Sequence, residues 1–245
     1  MVFFKWILLS ALLFGCQSAP QSVVKESIDE REEMLMQSAG NNQGLIALYK
    51  SRLLKADNPD TRLKLAKSYF STKDYESAKY HAEFLKEEQQ CNIDCTLLLA
   101  KVLYRLQAYH ESLSLVNTIA PVGSTGGEAY NLRGLNHASM GEFDKARRAF
   151  EMAREFMFDD SSVKNNLAVV DIMTGQFNAA IDRLMPMYTT GLADDKIKAN
   201  LAIATVKAGR SDYFSMIVKN EKNRESRYKL YAAIQASIFT EEQRP

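Results

Sequence analysis

The chain has 245 residues, 46% apolar and 25% charged, a balance that can bury a core and excludes disorder throughout. A formal net charge of +1 gives no electrostatic case for gripping nucleic acid. Eleven glycines and five prolines are too few for an all-β chain stitched by many turns and favour a helical one.

The chain opens with a short basic head, Met1 to Lys5, and an apolar run from Trp6 to Phe14. That run is too short to cross a bilayer as a helix, which takes about 20 apolar residues, and has the length of a signal-peptide core. It stops at Leu13-Phe14-Gly15-Cys16, which resembles the lipobox of bacterial lipoproteins. The resemblance implies a signal peptide over 1–15, cleavage before Cys16 and acylation of its thiol. Gln17 after the cysteine, rather than Asp, implies sorting to the periplasmic face of the outer membrane. An ordinary signal peptide with a coincidental cysteine is the other reading. Residues 16–24, the lipidated Cys and a polar stretch containing Pro20, read as a tether. Each buried CH₂ contributes ~0.8 kcal/mol, so several acyl chains on one residue make a stable anchor. Loss of 1–15 removes Lys5 and Trp6, leaving 30 basic and 30 acidic side chains and no tryptophan.

From residue 59 the chain repeats. A small residue, an aromatic nine positions later and a small residue three beyond occur as Ala66…Tyr75…Ala78 and Ala100…Tyr109…Ser112. They recur as Gly134…Phe143…Ala146 and Ala168…Phe177…Ala180, each shifted by one 34-residue step. A fifth copy starts with Ala202 and fails at Ser211 and Phe214. The pattern resembles the tetratricopeptide repeat, a 34-residue helix–turn–helix unit. In that register repeats start at Pro59, Ile93, Gly127, Ser161 and Asp195. The small residue lets two helices approach closely and the aromatic plugs the next gap. Leu65, Leu99, Leu167 and Leu201 then fall at core spacing, Val116, Phe150, Leu184 and Val218 along the second-helix seam, and Gly141, Gly175 and Gly209 at the turn between the helices. The consensus Trp and closing Pro are absent, Arg133 stands in a slot otherwise Leu, and His137 and Asp171 where Tyr is usual. The expected fold is an all-α tetratricopeptide-repeat superhelical solenoid. It has a degenerate first repeat at 25–58, four clear repeats over 59–194, a degenerate last repeat at 195–228, and a capping helix and tail over 229–245 that cover the last apolar face.

Little in the sequence carries chemistry. His81 and His110 fall at exposed positions of second helices, and His137 reads as a packed core residue rather than a base. No HExxH metal pair and no phosphate loop occur; Gly123 to Gly127 reads as an inter-repeat loop. The chain is therefore read as not an enzyme, with no metal, no cofactor and no small-molecule substrate. Cys91 and Cys95 lie where one repeat meets the next. An even pair in an oxidising compartment points to a disulfide clip, with two free thiols as the alternative. Arg133 and Asp171 sit at buried-type slots of adjacent first helices, where a lone charge is costly. They are expected to pair near His137, unless Arg133 snorkels to water.

First helices of such solenoids line an extended concave face. In this register the face holds Lys67, Phe70, Lys101, Tyr104 and Arg105 toward the N-terminus, and Asn131, Leu135, Asn165, Val169 and Ile172 in the middle. Ile203, Val206 and Lys207 follow. The two Asn can pair with a peptide backbone, and Phe70 and Tyr104 are candidate anchors. Charge is uneven: residues 25–38 carry two basic and five acidic side chains, and residues 207–229 seven basic and three acidic.

Two Asn-Leu-Ala helices (from Asn166 and Asn200), with Ala180-Ile181…Leu184 between them and Ala208-Gly209-Arg210 closing, resemble TadD. That family comprises repeat-containing lipoproteins of tight-adherence (Flp) pilus assembly. The similarity is strongest over 127–210 and carries no individual binding residue. It implies an outer-membrane scaffold that acts like a pilotin and holds a segment of the pilus secretin, or of another Flp assembly component, in its groove. Alternatives are a type IV pilus pilotin and a lipoprotein adaptor for envelope enzymes such as peptidoglycan hydrolases or proteases.

Overall fold

The computed structural model describes residues 21–237, apart from 121 and 220–222. Residues 1–20, with the expected signal peptide and Cys16, lie outside the described residues, as does the tail from 238. The described residues form thirteen helices and no strand. In chain order these are α1 (Gln21–Ser38), α2 (Asn42–Lys55), α3 (Pro59–Ser71), α4 (Tyr75–Glu87), α5 (Ile93–Arg105), α6 (Tyr109–Val116) and α7 (Gly123–Ser139). They continue as α8 (Phe143–Glu155), α9 (Asp160–Met173), α10 (Phe177–Thr189), α11 (Asp195–Lys207), α12 (Ser211–Ile217) and α13 (Arg224–Ala236).

The 34-residue step is visible in the backbone. Second helices begin at Tyr75, Tyr109, Phe143, Phe177 and Ser211. Ahead of them Lys73, Gln107, Gly141, Gly175 and Gly209 all take positive φ, between 63° and 74°. That left-handed residue closes each first helix as a Schellman turn. In the first such turn Lys73 N–H donates to Phe70 C=O and Asp74 N–H to Tyr69 C=O. A second left-handed series, Gln89, Gly123, Met157 and Gly191, marks the return to the next repeat. First helices start on side-chain caps: Asn58, Asn92, Asp159 and Asp194 each accept from a backbone N–H three residues on, satisfying donors the helix cannot.

Close approach needs the small residues. Ala66, Ala78, Ala100, Ser112, Ala146, Ala168 and Ala180 are all fully buried. A Cβ on Gly134 would sit 2.5 Å from the ring of Phe150, so glycine is required there by packing. Gly127 plays the same part against the Phe156 carbonyl, 2.5 Å from where its Cβ would lie. The stretch 123–127 is thus not the loop its composition suggests. Gly123 is the turn, and the rest is the first turn of α7, with Gly127 bare of a side chain where the end of α8 in the same repeat passes over it.

Both ends differ from expectation. Helix α1 already starts at Gln21, so the last four residues of the expected tether are helical; nothing after Pro20 breaks a helix, and proline is compatible with a helix start. The cap begins at Arg224 rather than 229 because Asn223 accepts from Ser226 N–H at 2.7 Å and starts the helix early. Helix α12 ends at Ile217, and α13 packs Tyr231 and Ile234 onto Ala202, Val206, Phe214 and Val218. At the other end Glu33 fastens α1. It is 7% exposed, accepts from Tyr49 and Lys64 at 2.9 and 2.7 Å, and pairs with Arg52. Burial pushes its carboxyl up, but the hydrogen bonds from Lys64, Arg52 and Tyr49 outweigh that and hold it down at about 2.

Candidate protein-binding groove

Consecutive first helices touch one another, α3 to α5, α5 to α7, α7 to α9 and α9 to α11. Contacts between consecutive second helices are at most marginal. Helices that crowd on one side and splay on the other make a curved array, with the first helices on the inner face. That face carries two rung systems, each built on the 34-residue step. In the N-terminal half Lys67 pairs with Asp94 at 3.3 Å, and one repeat on Lys101 pairs with Glu128 at 2.5 Å. In the C-terminal half Asn166 Nδ2 donates to Asn131 Oδ1 at 2.8 Å, and Asn200 Nδ2 to Asn165 Oδ1 at 2.8 Å. Among the described residues no protein acceptor takes the Nδ2 of Asn131 or Asn165, so both can donate to a ligand.

Two clefts lie along this face. One, of about 280 Å³, has an apolar floor of Phe70, Leu97 and Leu98 between the two ion pairs. The other, of about 440 Å³, is lined by Arg105, Asn131, Leu135, Asn165 and Leu192 among others. Phe70 and Tyr104 are half-buried and pack on the aromatics that open the next helices, Tyr75 at 5.5 Å and Tyr109 at 5.7 Å. Leu135, Val169 and Ile203 are half-buried and Arg105 is exposed. The inner face therefore passes from charged, at Lys67 and Lys101, to apolar, at Leu135, Val169 and Ile203, in one repeat slot.

Some expected groove residues are elsewhere. Ile172 is 4% exposed and sits in the core with Ile181, Ile197 and Leu201, because α11 closes over it. Val206 is 2% exposed, under α13. Lys207 reaches the end of α13, donating to the carbonyls of Gln235 and Ser237. The acid and amide partners Asp94, Glu128, Asn166 and Asn200 were not among the expected groove residues. Their signal was the 34-residue spacing of Asp94 from Glu128 and of Asn166 from Asn200.

The expected Arg133–Asp171 pair does not form. Asp171, fully buried, is held by Arg147 at 2.7 Å and Arg183 at 3.1 Å, from the flanking second helices α8 and α10. Two long side chains reaching inward from those helices satisfy it before Arg133 can. Arg133 lies over the Tyr130 ring, 4.5 Å from its centroid, and extends to the Val116 carbonyl at 3.5 Å. His137 pairs with Glu142 at 2.5 Å. His81 is half-buried rather than exposed. It stacks on Tyr69 at 5.7 Å, and burial, helped by Arg62 and Lys50, holds its imidazole below the usual value. His110 is exposed. Cys91 and Cys95 are joined by a disulfide, Cα–Cα 5.2 Å, at the entry to α5. Among the described residues no cluster of His, Cys, Asp or Glu is arranged to hold a metal ion, and no helix is long and apolar enough to cross a membrane.

A 34-residue helix–turn–helix unit, a left-handed residue at each turn and a first-helix inner face leave one reading of the architecture. The chain is a tetratricopeptide-repeat solenoid. Solved structures agree at the level of fold. A tetratricopeptide-repeat protein from Parabacteroides merdae superposes with a TM-score of 0.69 at 15% identity, covering 88% of this chain and 86% of that one. A thermophilic TPR protein from Thermus thermophilus gives 0.59 at 17% identity, covering 74% and 99%. The Cut9–Hcn1 hetero-tetramer of APC/C gives 0.61 at 13% identity, covering 81% of this chain and 40% of that one. A family profile described as anaphase-promoting complex, cyclosome, subunit 3 matches residues 45–119. No curated protein matches the sequence. Solenoids of this type are typically non-enzymatic scaffolds that bind protein partners.

Proposed function

We propose that this chain is an outer-membrane lipoprotein scaffold for assembly of a surface pilus of the tight-adherence type. In this reading Cys16 carries the lipid, the solenoid faces the periplasm, and the groove holds an extended segment of a client protein, the pilus secretin first among candidates. The inner face carries the reading. Its amide rungs at Asn131 and Asn165 suit the backbone of an extended peptide, its Leu135–Val169–Ile203 row suits apolar side chains, and its Lys67 and Lys101 end suits acidic ones. The lipobox supports the anchor, and the TadD-like run over 127–210 supports the pilus.

The test is in cells lacking the protein. Membranes are fractionated and the secretin is probed for multimers and for location in the outer membrane. Multimers are expected to vanish or mislocalise. Wild-type chain restores them; Cys16→Ala and the double variant Asn131→Ala/Asn165→Ala do not, although the latter accumulates as folded protein. Intact secretin rings in the outer membrane would overturn the secretin as client, and a search for bound peptidoglycan hydrolases or proteases would follow.

A further inference from the structure

The two ends of the solenoid have complementary surfaces. At the C-terminal end a cleft of about 510 Å³ lies between α12 and α13, with Phe214 and Tyr231 as its floor and Arg224, Arg227 and Tyr228 along its rim. Helix α13 has no fully buried residue, and Tyr228 is 74% exposed. Neither arginine has an acidic partner among the described residues, whereas Lys229 is already paired with Glu225 at 2.6 Å. The surrounding stretch, 207–229, holds seven basic and three acidic side chains.

At the N-terminal end the outer surface of α1 is the counterpart. Met34 is 64% and Leu35 70% exposed, and Leu54 of α2 is 89% exposed. Glu30, one turn before Met34, and Glu32, three residues before Leu35, are exposed. Glu33 is spent inside on Arg52 and Lys64, while Glu30 and Glu32 are exposed on either side of Arg31, which is exposed as well. Residues 25–38 carry two basic and five acidic side chains.

We propose that these ends bind one another between copies: α1 of one chain seats Met34 and Leu35 in the α12–α13 cleft of the next, with Glu30 and Glu32 against Arg224 and Arg227. An aromatic floor takes the apolar pair, and guanidinium groups bind carboxylates in a fixed two-pronged geometry. Each end of a solenoid leaves a repeat face without a neighbour. A contact between two different patches is head-to-tail and builds a ring where the rotation closes and an open row of copies where it does not. It uses the ends of the molecule and is independent of any client in the groove.

The test is sedimentation of the full chain in detergent solution across a concentration series, at low and high salt. Mass is expected to rise with concentration at low salt and to fall back toward the monomer as salt is raised. Arg224→Glu with Arg227→Glu is expected to weaken association at least about tenfold, as is Glu30→Arg with Glu32→Arg. The chain carrying all four changes regains it. Tyr228→Ala, which alters no charge, also weakens it. Circular dichroism melts check that each variant is folded. A monomer at every concentration, or an association indifferent to these changes, overturns the proposal. So does a monomeric Cys16→Ala chain that floats with phosphatidylglycerol vesicles and stops doing so in Arg224→Glu/Arg227→Glu, because the cleft then belongs to lipid headgroups.

Discussion

Lys73 and Gln107 hold the left-handed backbone that glycine supplies in the three later repeats. For an L-residue this conformation costs about 1–2 kcal/mol, and glycine's extra freedom in the unfolded chain cancels about 0.5–1 of that. Lys73→Gly is therefore expected to raise stability by up to about 1.5 kcal/mol, read as a higher urea midpoint. Gly134→Ala has the opposite sign. Its methyl would meet the Phe150 ring at 2.5 Å, and overpacking of this kind costs about 1–3 kcal/mol. Asp171→Ala removes the one carboxylate that two guanidiniums share. Breaking a buried pair costs about 3–5 kcal/mol, and because Arg147 and Arg183 keep 27% and 28% of their side-chain exposure and can turn to water, the low end, about 3, is expected in the same melts. At this scale spacing revealed which residues are small and where the chain turns. It did not reveal the partners of Asp171. Arg147 and Arg183 approach from the helices just before and just after it in the chain, at separations shorter than one repeat, and a register only relates residues one repeat apart.

Among the elements, α1 is tied to α2 and α3 through the carboxylate of Glu33, beside the packing of Met36 on Leu45, Ile46 and Tyr49. The carboxyl of Glu33 is ordinary at 4.5 when free and about 2 when folded. A lowered folded value means that its contribution is complete above about pH 4.5 and is lost as pH falls toward 2. The melting temperature of Glu33→Gln should lie below that of the wild type at neutral pH, and the two should converge in acid. A gap that persists at pH 2 would mean that the side chain acts by packing alone. The Cys91–Cys95 bridge closes a very short loop, so chain-entropy arguments give it about 2 kcal/mol at most. Reduction is expected to lower the melting temperature by a few degrees and leave the fold intact. Helix interiors were legible from periodicity, while their starts were less so. Asn223 and the Gly-rich segment after Gly123 look like loop composition, yet one caps a helix and the other lies inside it.

At the scale of the whole molecule, each repeat among the described residues packs on its neighbours, so stability approximates a sum of local terms and openings begin at the ends. Amide exchange is expected to be slowest in α5 and α7 to α10 and fastest in α13, which buries no residue fully. The solenoid was readable as a fold because a 34-residue period is a global signal that the four clear repeats carry, whereas α1 and α13 at its ends start earlier than expected. Which inner-face residues stay open was only partly readable: Ile172 and Val206 occupy the same repeat slot as Phe70 and Tyr104, but α11 and α13 cover them. The rungs at Asn131–Asn166 and Asn165–Asn200 tie successive first helices on the inside of the bend. A guest backbone that accepts from the Nδ2 of Asn131 and Asn165 leaves both rungs intact, whereas one that donates to their Oδ1 competes with Asn166 and Asn200 for the tie between first helices. Occupancy and curvature are thereby coupled. A bound segment that breaks rungs would loosen the bend at those steps, and one that spares them would leave it held.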